Sequence, residues 1–195
     1  MPPKILAFSG SSRRGSLNQL LLDVAVAGAR DAGAEVTVLR LADLRLPVYD
    51  GDLEASDGLP AGALQFKALL ATHDALLIAT PEHNGGVTAL LKNALDWASR
   101  PAPGERPGTN PFAAKCAALL SASPGLLAGM RSQISLQIVL NKLGVAVLPA
   151  SFALPAAHLA FDPHGALKDE GADQAVLAVG AALARAARRQ TLPID

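Results

Sequence analysis

One cysteine in 195 residues leaves no disulfide framework and points to a reducing compartment. Charge is equally sparse. Charged residues make up 17% against 50% hydrophobic, a balance that argues against long disorder. Formal net charge is zero and no basic block stands out, so nucleic acid is not an expected partner. Arg185, Arg188 and Arg189 fall near the end of an apolar-periodic helix, where cations complement the helix dipole. No run approaches the ~18–20 apolar residues that span a bilayer, and residues 1–10 lack the charge pattern and apolar core of a signal peptide. The expectation is a soluble, cytoplasmic protein with no membrane partner. His73, His158 and His164 are scattered without metal-ligand spacing, so no metal is expected. Internal repeats are absent as well.

What is there is an alternation of short apolar runs and longer helical patterns. Strands are expected at Lys4–Ser9, Glu35–Leu41, Asp74–Ala79, Lys115–Ser121 and Val145–Leu148. Helices are expected at Leu17–Ala32, Ala61–Thr72, Val87–Ser99, Ala128–Leu143 and Asp169–Arg189, with a loop over the acidic stretch Asp50–Asp57. Residues 100–111 hold four prolines and two glycines, and read as a surface loop inside one domain of residues 1–195. Five strands, each followed by a crossover, imply an α/β fold of the flavodoxin-like kind: a doubly wound five-stranded parallel sheet with helices on both faces. Ligands of such sheets sit beyond the carboxyl ends of the strands, where the strand order reverses. The loops after strands one, three and four are therefore the candidates.

The first of these reads Gly10-Ser11-Ser12-Arg13-Arg14-Gly15-Ser16-Leu17-Asn18. Ser16 with Gln19 three residues on makes a capping-box pattern. That leaves Ser11, Ser12, Arg13 and Asn18 without a local purpose. A helix N-terminus offers free N–H groups and partial positive charge, hydroxyls add neutral donors, and Arg13 adds a charged fork. The loop suits a phosphate monoester. It is not a Walker A loop, since no Gly-Lys-Ser/Thr opens the helix. The Rossmann G-x-G-x-x-G and the nucleophile elbow G-x-S-x-G both fail on spacing. A Rossmann dehydrogenase reading Arg40 against a 2′-phosphate is further weakened by the single tyrosine, since Leu53 stands where Tyr49 would need a lysine.

After strand three the chain runs Thr80-Pro81-Glu82-His83-Asn84-Gly85-Gly86 and then Leu90-Leu91-Lys92-Asn93-Ala94-Leu95-Asp96-Trp97. Pro81 stiffens that turn, and Gly85-Gly86 would let backbone approach something flat, with His83 against its face. After strand four comes Ser121-Ala122-Ser123-Pro124-Gly125, again small and donor-rich. Cys116, inside an apolar strand, reads as a buried inert thiol.

Taken together, GSSRRGSLN, PEHNGG followed by LLKNALDW, and SASPG followed by GMRSQ resemble the NADPH-dependent FMN reductase family, a flavodoxin-like group that includes quinone, azo and chromate reductases. The resemblance runs from Lys4 to about Arg189. It implies that Ser11, Arg13, Ser16, Leu17 and Asn18 hold the FMN phosphate end. It further implies that Pro81, Glu82, His83, Asn84 and Gly85 line the flavin ring, and that Ser121, Ser123 and Gly125 form the third loop. The family usually carries tyrosine where His83 stands, so histidine is expected to stack there and tune the flavin. NADPH or NADH would be the co-substrate, and a quinone, free flavin, azo compound or metal oxyanion the acceptor. No catalytic acid or base is required, because the cofactor does the chemistry. The family also implies a homodimer or homotetramer built on helices near Leu90–Trp97 and Arg131–Leu140. The rival is a non-enzymatic flavin-binding electron carrier or redox sensor.

Overall fold

A computed structural model describes residues 1–106 and 108–190; Pro107 of the expected surface loop and the last five residues of the expected domain lie outside the described residues. The strands are β1 (Lys4–Ser9), β2 (Glu35–Arg40), β3 (Ala75–Ala79), β4 (Cys116–Ala122) and β5 (Ala146–Leu154). The helices are α1 (Leu17–Asp31), α2 (Gly51–Asp57), α3 (Ala61–Ala71), α4 (Ala89–Ala98), α5 (Met130–Lys142), α6 (Ala157–Ala160) and α7 (Glu170–Gln190), with a 3-10 turn at Leu41–Leu44. All five strands pair in parallel in the order β2-β1-β3-β4-β5. This is the doubly wound order of a flavodoxin-like sheet, and its switch point lies between β1 and β3.

Alternation along each strand divides the interior into two cores. Ile5 and Ala7 of β1, Leu77 of β3 and Leu120 of β4 face a layer made by α1 and α7. Their neighbours Leu6, Phe8, Leu76, Ile78 and Leu119 face α3, α4 and α5. Small residues dominate the first layer, and the two helices cross there backbone to backbone. A Cβ added at Gly28 would stand 2.1 Å from the Leu177 carbonyl oxygen, and one at Gly180 would stand 1.9 Å from that of Ala25. Only glycine permits this crossing, and it seats α1, whose N-terminus carries the first loop, firmly on the sheet.

Three expectations change. Residues 51–57 form a helix rather than a loop, because Asp50 caps it by accepting from the Asp52 (2.8 Å) and Leu53 (3.4 Å) N–H groups. Strand β5 continues past Leu148 to Leu154. Its register slips opposite Ala117–Leu119, and Pro149, which lacks an N–H, is tolerated in an irregular edge strand. Ser16 does cap α1 through the Gln19 N–H at 3.3 Å, but Gln19 does not return the bond: its amide reaches Asp23 Oδ1 at 2.9 Å instead. Among the described residues, no helix is long and apolar enough to cross a membrane.

Candidate functional site

The carboxyl ends of β1, β3 and β4 converge on a groove of about 430 Å³. Its first wall is the loop after β1, where Ser11, Arg13, Ser16, Leu17 and Asn18 all border it. Backbone N–H groups of Gly15, Ser16, Leu17 and Asn18 have no acceptor among the described residues. They are the orphan donors that every helix start leaves. Ser11 folds the loop locally, its Oγ accepting from the Arg13 N–H at 3.2 Å. The Arg13 guanidinium is exposed and makes no ion pair among the described residues.

The second wall is the loop after β3, contributing Pro81, Glu82 and His83. Here the two glycines belong to a tight turn. His83 and Gly86 exchange both N–H···O bonds at 3.1 Å, closing a two-residue hairpin over Asn84 and Gly85. Both central residues have positive φ (52° and 80°), the requirement of a tight primed turn, for which Asn-Gly is the favoured pair. Asn84 and Gly85 therefore form the turn tip and do not border the groove, while their own N–H groups stay without an acceptor among the described residues.

From the loop after β4, Ser123 borders the groove with Ala122 and Pro124, whereas Ser121 and Gly125 do not. Ser121 is fully buried on the opposite side of the strand. Its Oγ donates to the Ala128 carbonyl at 2.7 Å and accepts from Gln133 Nε2 at 2.7 Å. It anchors the turn into α5 rather than presenting a hydroxyl to a ligand.

Several long-range bonds hold these loops in place, and sequence reading missed most of them. Asn18, 5% exposed, donates through Nδ2 to the Ala122 carbonyl at 2.8 Å and accepts the Ala122 N–H on Oδ1 at 3.0 Å. Its side chain thus ties the first loop to the third, and its backbone N–H has no acceptor among the described residues. Thr88 caps α4 through the Leu91 N–H and donates to the Gly10 carbonyl at 2.6 Å, joining the second loop to the first. Ser132 of α5 donates to the Thr80 carbonyl at 2.9 Å. Only the Thr88 cap has a local signal, a hydroxyl one residue before a helix; the others join residues tens of positions apart.

Glu82, on the second wall, is ion-paired from α5. Both Nε (2.7 Å) and Nη2 of Arg131 donate to its Oε1. Its Oε2 is buried and unbonded, the one side-chain nitrogen or oxygen in that condition among the described residues. The donor set fits FMN: free N–H groups and Arg13 suit its phosphate, and the cleft beyond accommodates a flat ring with polar edges.

Elsewhere, Trp97 is fully buried and donates to the Pro47 carbonyl at 2.8 Å, a core role. Asn93 holds the same segment through Tyr49 N–H (2.8 Å) and the Pro47 carbonyl (2.7 Å). His73 is a satisfied core histidine, bonded to Leu69 and Thr37. Burial pushes the Cys116 thiol up to about 11. Among the described residues, no group of three His, Cys, Asp or Glu side chains could hold a metal ion.

The sheet order, with an anion-ready helix start at its switch point, defines a flavodoxin-like α/β protein. Comparison with known proteins sharpens this. The chain belongs to the NADPH-dependent FMN reductase family, which it matches over residues 3–159. It is 38% identical over 175 residues to an NAD(P)H-dependent FMN reductase of Pseudomonas aeruginosa, covering 89% of each chain. It is 35% identical over 185 residues to an NAD(P)H:quinone oxidoreductase of Solanum tuberosum, covering 92% of this chain and 90% of that one. Its structure superposes on the flavoenzyme NAD(P)H:(acceptor) oxidoreductase of Paracoccus denitrificans with a TM-score of 0.82 at 29% identity, over 97% of this chain and all of the other. Family membership makes the chain an oxidoreductase that works with FMN and NAD(P)H, rather than a passive carrier.

Proposed function

We propose that the chain acts as one flavodoxin-like unit that reduces a quinone or a similar small acceptor, with FMN seated in the groove between the loops after β1, β3 and β4. One observation carries this reading: unpaired N–H groups at the start of α1, together with Arg13, border the same groove as Pro81, Glu82 and His83. The phosphate belongs to Ser11, Arg13, Ser16 and the N–H groups of Leu17 and Asn18. The ring belongs to Pro81, Glu82 and His83 on one side and Ser123 on the other. When bound, FMN supplies a ring that takes two electrons from a nicotinamide and gives them to an acceptor in turn.

This chain's residues bind, orient and shield. Pro81 and the closed hairpin give the second wall a fixed shape. His83 lies exposed on that wall and borders the groove, within reach of a nicotinamide and an acceptor that would come in succession. Relatives bearing quinone reductase names support a quinone as acceptor. The reading further places the protein in the cytoplasm as a homodimer or homotetramer. An exposed apolar stripe along α5, with Met130, Ile134 and Ile138, supports the latter.

The test is direct. The purified protein should be yellow and release FMN on denaturation, and NADPH should bleach the bound flavin until a quinone restores it. A colourless protein that fails to take up added FMN would overturn the reading.

A further inference from the structure

Arg40 belongs neither to the groove nor to the core. It ends β2, in register with Ser9 at the end of β1. Its side chain is 56% exposed, and Asp43 approaches its Nε only to 3.9 Å, an exposed pair of little worth. Beside it lies a second cleft of about 170 Å³, bordered by Ser9, Ser11, Arg13, Ser16, Gln19 and Arg40. Two guanidiniums and no carboxylate line it among the described residues, in a chain whose 17 acidic and 17 basic residues otherwise balance. Ser9 is 3% exposed; its Oγ accepts from the Ser11 N–H at 3.3 Å, and its own hydroxyl hydrogen has no acceptor among the described residues. Arg13 borders both this cleft and the groove. A guanidinium carries five N–H donors and a phosphate engages two of them, so one arginine can stand between two anions.

On the reading that FMN fills the groove, we propose that this second cleft takes the 2′-phosphate of NADPH, with Arg40 as its selective contact, and that the chain therefore prefers NADPH to NADH. The chemistry of the co-substrates selects this ligand. They differ by one phosphate monoester on the adenosine ribose, which a guanidinium fork meets with paired charge-assisted bonds. The free 2′-hydroxyl of NADH is the natural partner of a carboxylate, and the cleft offers none. The position agrees. With the flavin ring between the loops after β3 and β4, the nicotinamide arrives there too. In the sheet order β2 stands two places from β3 and three from β4, about 10 to 14 Å at strand spacing. The pyrophosphate bridge of a dinucleotide spans that distance, laying the adenosine end back across the loop after β1.

Two measurements on the FMN-loaded protein test this. The first takes kcat and KM with NADPH and with NADH, using benzoquinone as acceptor. The wild type should favour NADPH in kcat/KM by at least about tenfold, the worth of one charged hydrogen bond. Arg40→Gln should bring that ratio within about threefold, through the KM for NADPH rather than kcat, and Arg40→Lys should keep part of it. The second measures, by calorimetry, binding of adenosine 2′,5′-bisphosphate and of 5′-AMP, which lacks the 2′-phosphate. The bisphosphate should bind the wild type at least about tenfold more tightly, and Arg40→Gln should remove most of the difference. Arg40 is an exposed side chain, so its replacement opens no cavity in the core. A wild type indifferent to the 2′-phosphate, or an Arg40→Gln variant that weakens both co-substrates alike, would overturn the proposal while leaving the flavin site intact. Loss of FMN from Arg40→Gln would assign the cleft to the flavin phosphate and equally overturn it. Failure of the wild type to bind FMN at all would instead remove the functional reading beneath it.

Discussion

Arg13 and Cys116 show the two ends of what a single side chain can be asked to do. Arg13 is exposed, carries no ion pair among the described residues, and borders the groove; Cys116 is 1% exposed in the middle of the sheet. Arg13→Ala should weaken FMN retention by ~10- to 100-fold, read by dialysis and fluorescence, since one charged hydrogen bond contributes about 1.5–3 kcal/mol. Retention at wild-type affinity would remove the first loop from the site. The Cys116 thiol, pushed up to about 11 by burial, should resist a thiol reagent such as Ellman's at neutral pH and react promptly once guanidinium unfolds the chain. At this scale the sequence was informative wherever a residue had no structural reason for being there. Arg13 was recognisable as surplus polarity beyond a buried strand, whereas Glu82 entered only through the family resemblance and Ser11 proves to fold its own loop. Asn18 and Ser121 were not separable from them, because their partners, Ala122 and Gln133, are brought close only by the finished sheet.

Among the elements, α1 and α7 owe their close crossing to Gly28 and Gly180. Replacing Gly180 by alanine adds a better helix former, worth about 1 kcal/mol in an exposed helix. The clash with the Ala25 carbonyl should outweigh that gain, and the variant should lose ~1–3 kcal/mol in urea unfolding. Greater stability than the wild type would disprove the tight crossing. Helix α2 depends on charge instead. Glu54 accepts from Arg100 Nε at 2.9 Å and from the Tyr49 hydroxyl at 2.7 Å, and Arg100 lies over the Tyr49 ring. These bonds, that from Arg100 first, hold the Glu54 carboxyl below its ordinary value of 4.5. A depressed carboxylate stabilises the fold at pH above that value, and the contribution fades as pH falls through the lowered one. Thermal stability should therefore decline with acidification below ordinary carboxylate pH, and less steeply in Glu54→Gln. An identical acid limb in the two proteins would rule out the contribution. The helix itself was missed in the sequence because its acidic residues resemble a loop, while its order comes from the Asp50 cap and from Arg100, forty-six residues from Glu54.

For the molecule as a whole, the five parallel strands were legible because a sheet covered on both faces needs continuous apolar runs, and those runs are hard to disguise. Strand order follows from crossover handedness and the family resemblance together. What lay beyond reach was the far half of β5, where Pro149 interrupts the pattern at an edge. The α5 stripe belongs to this scale as well, since Met130, Ile134 and Ile138 stay exposed among the described residues. Ile134→Glu combined with Ile138→Glu should convert an oligomer to monomer in light scattering without lowering the unfolding temperature of the protomer. A wild type that is already monomeric would exclude the stripe as a self-association surface.

Asn18 clasps Ala122 and Thr88 clasps Gly10, so the rim of the groove is assembled by protein alone. A receptacle finished in advance demands little reorganisation of its guest's host. Stripped of flavin, the chain should keep its amide spectrum nearly unchanged. Reloading should then proceed in one kinetic phase, with a heat-capacity change no larger than the ring's own desolvation.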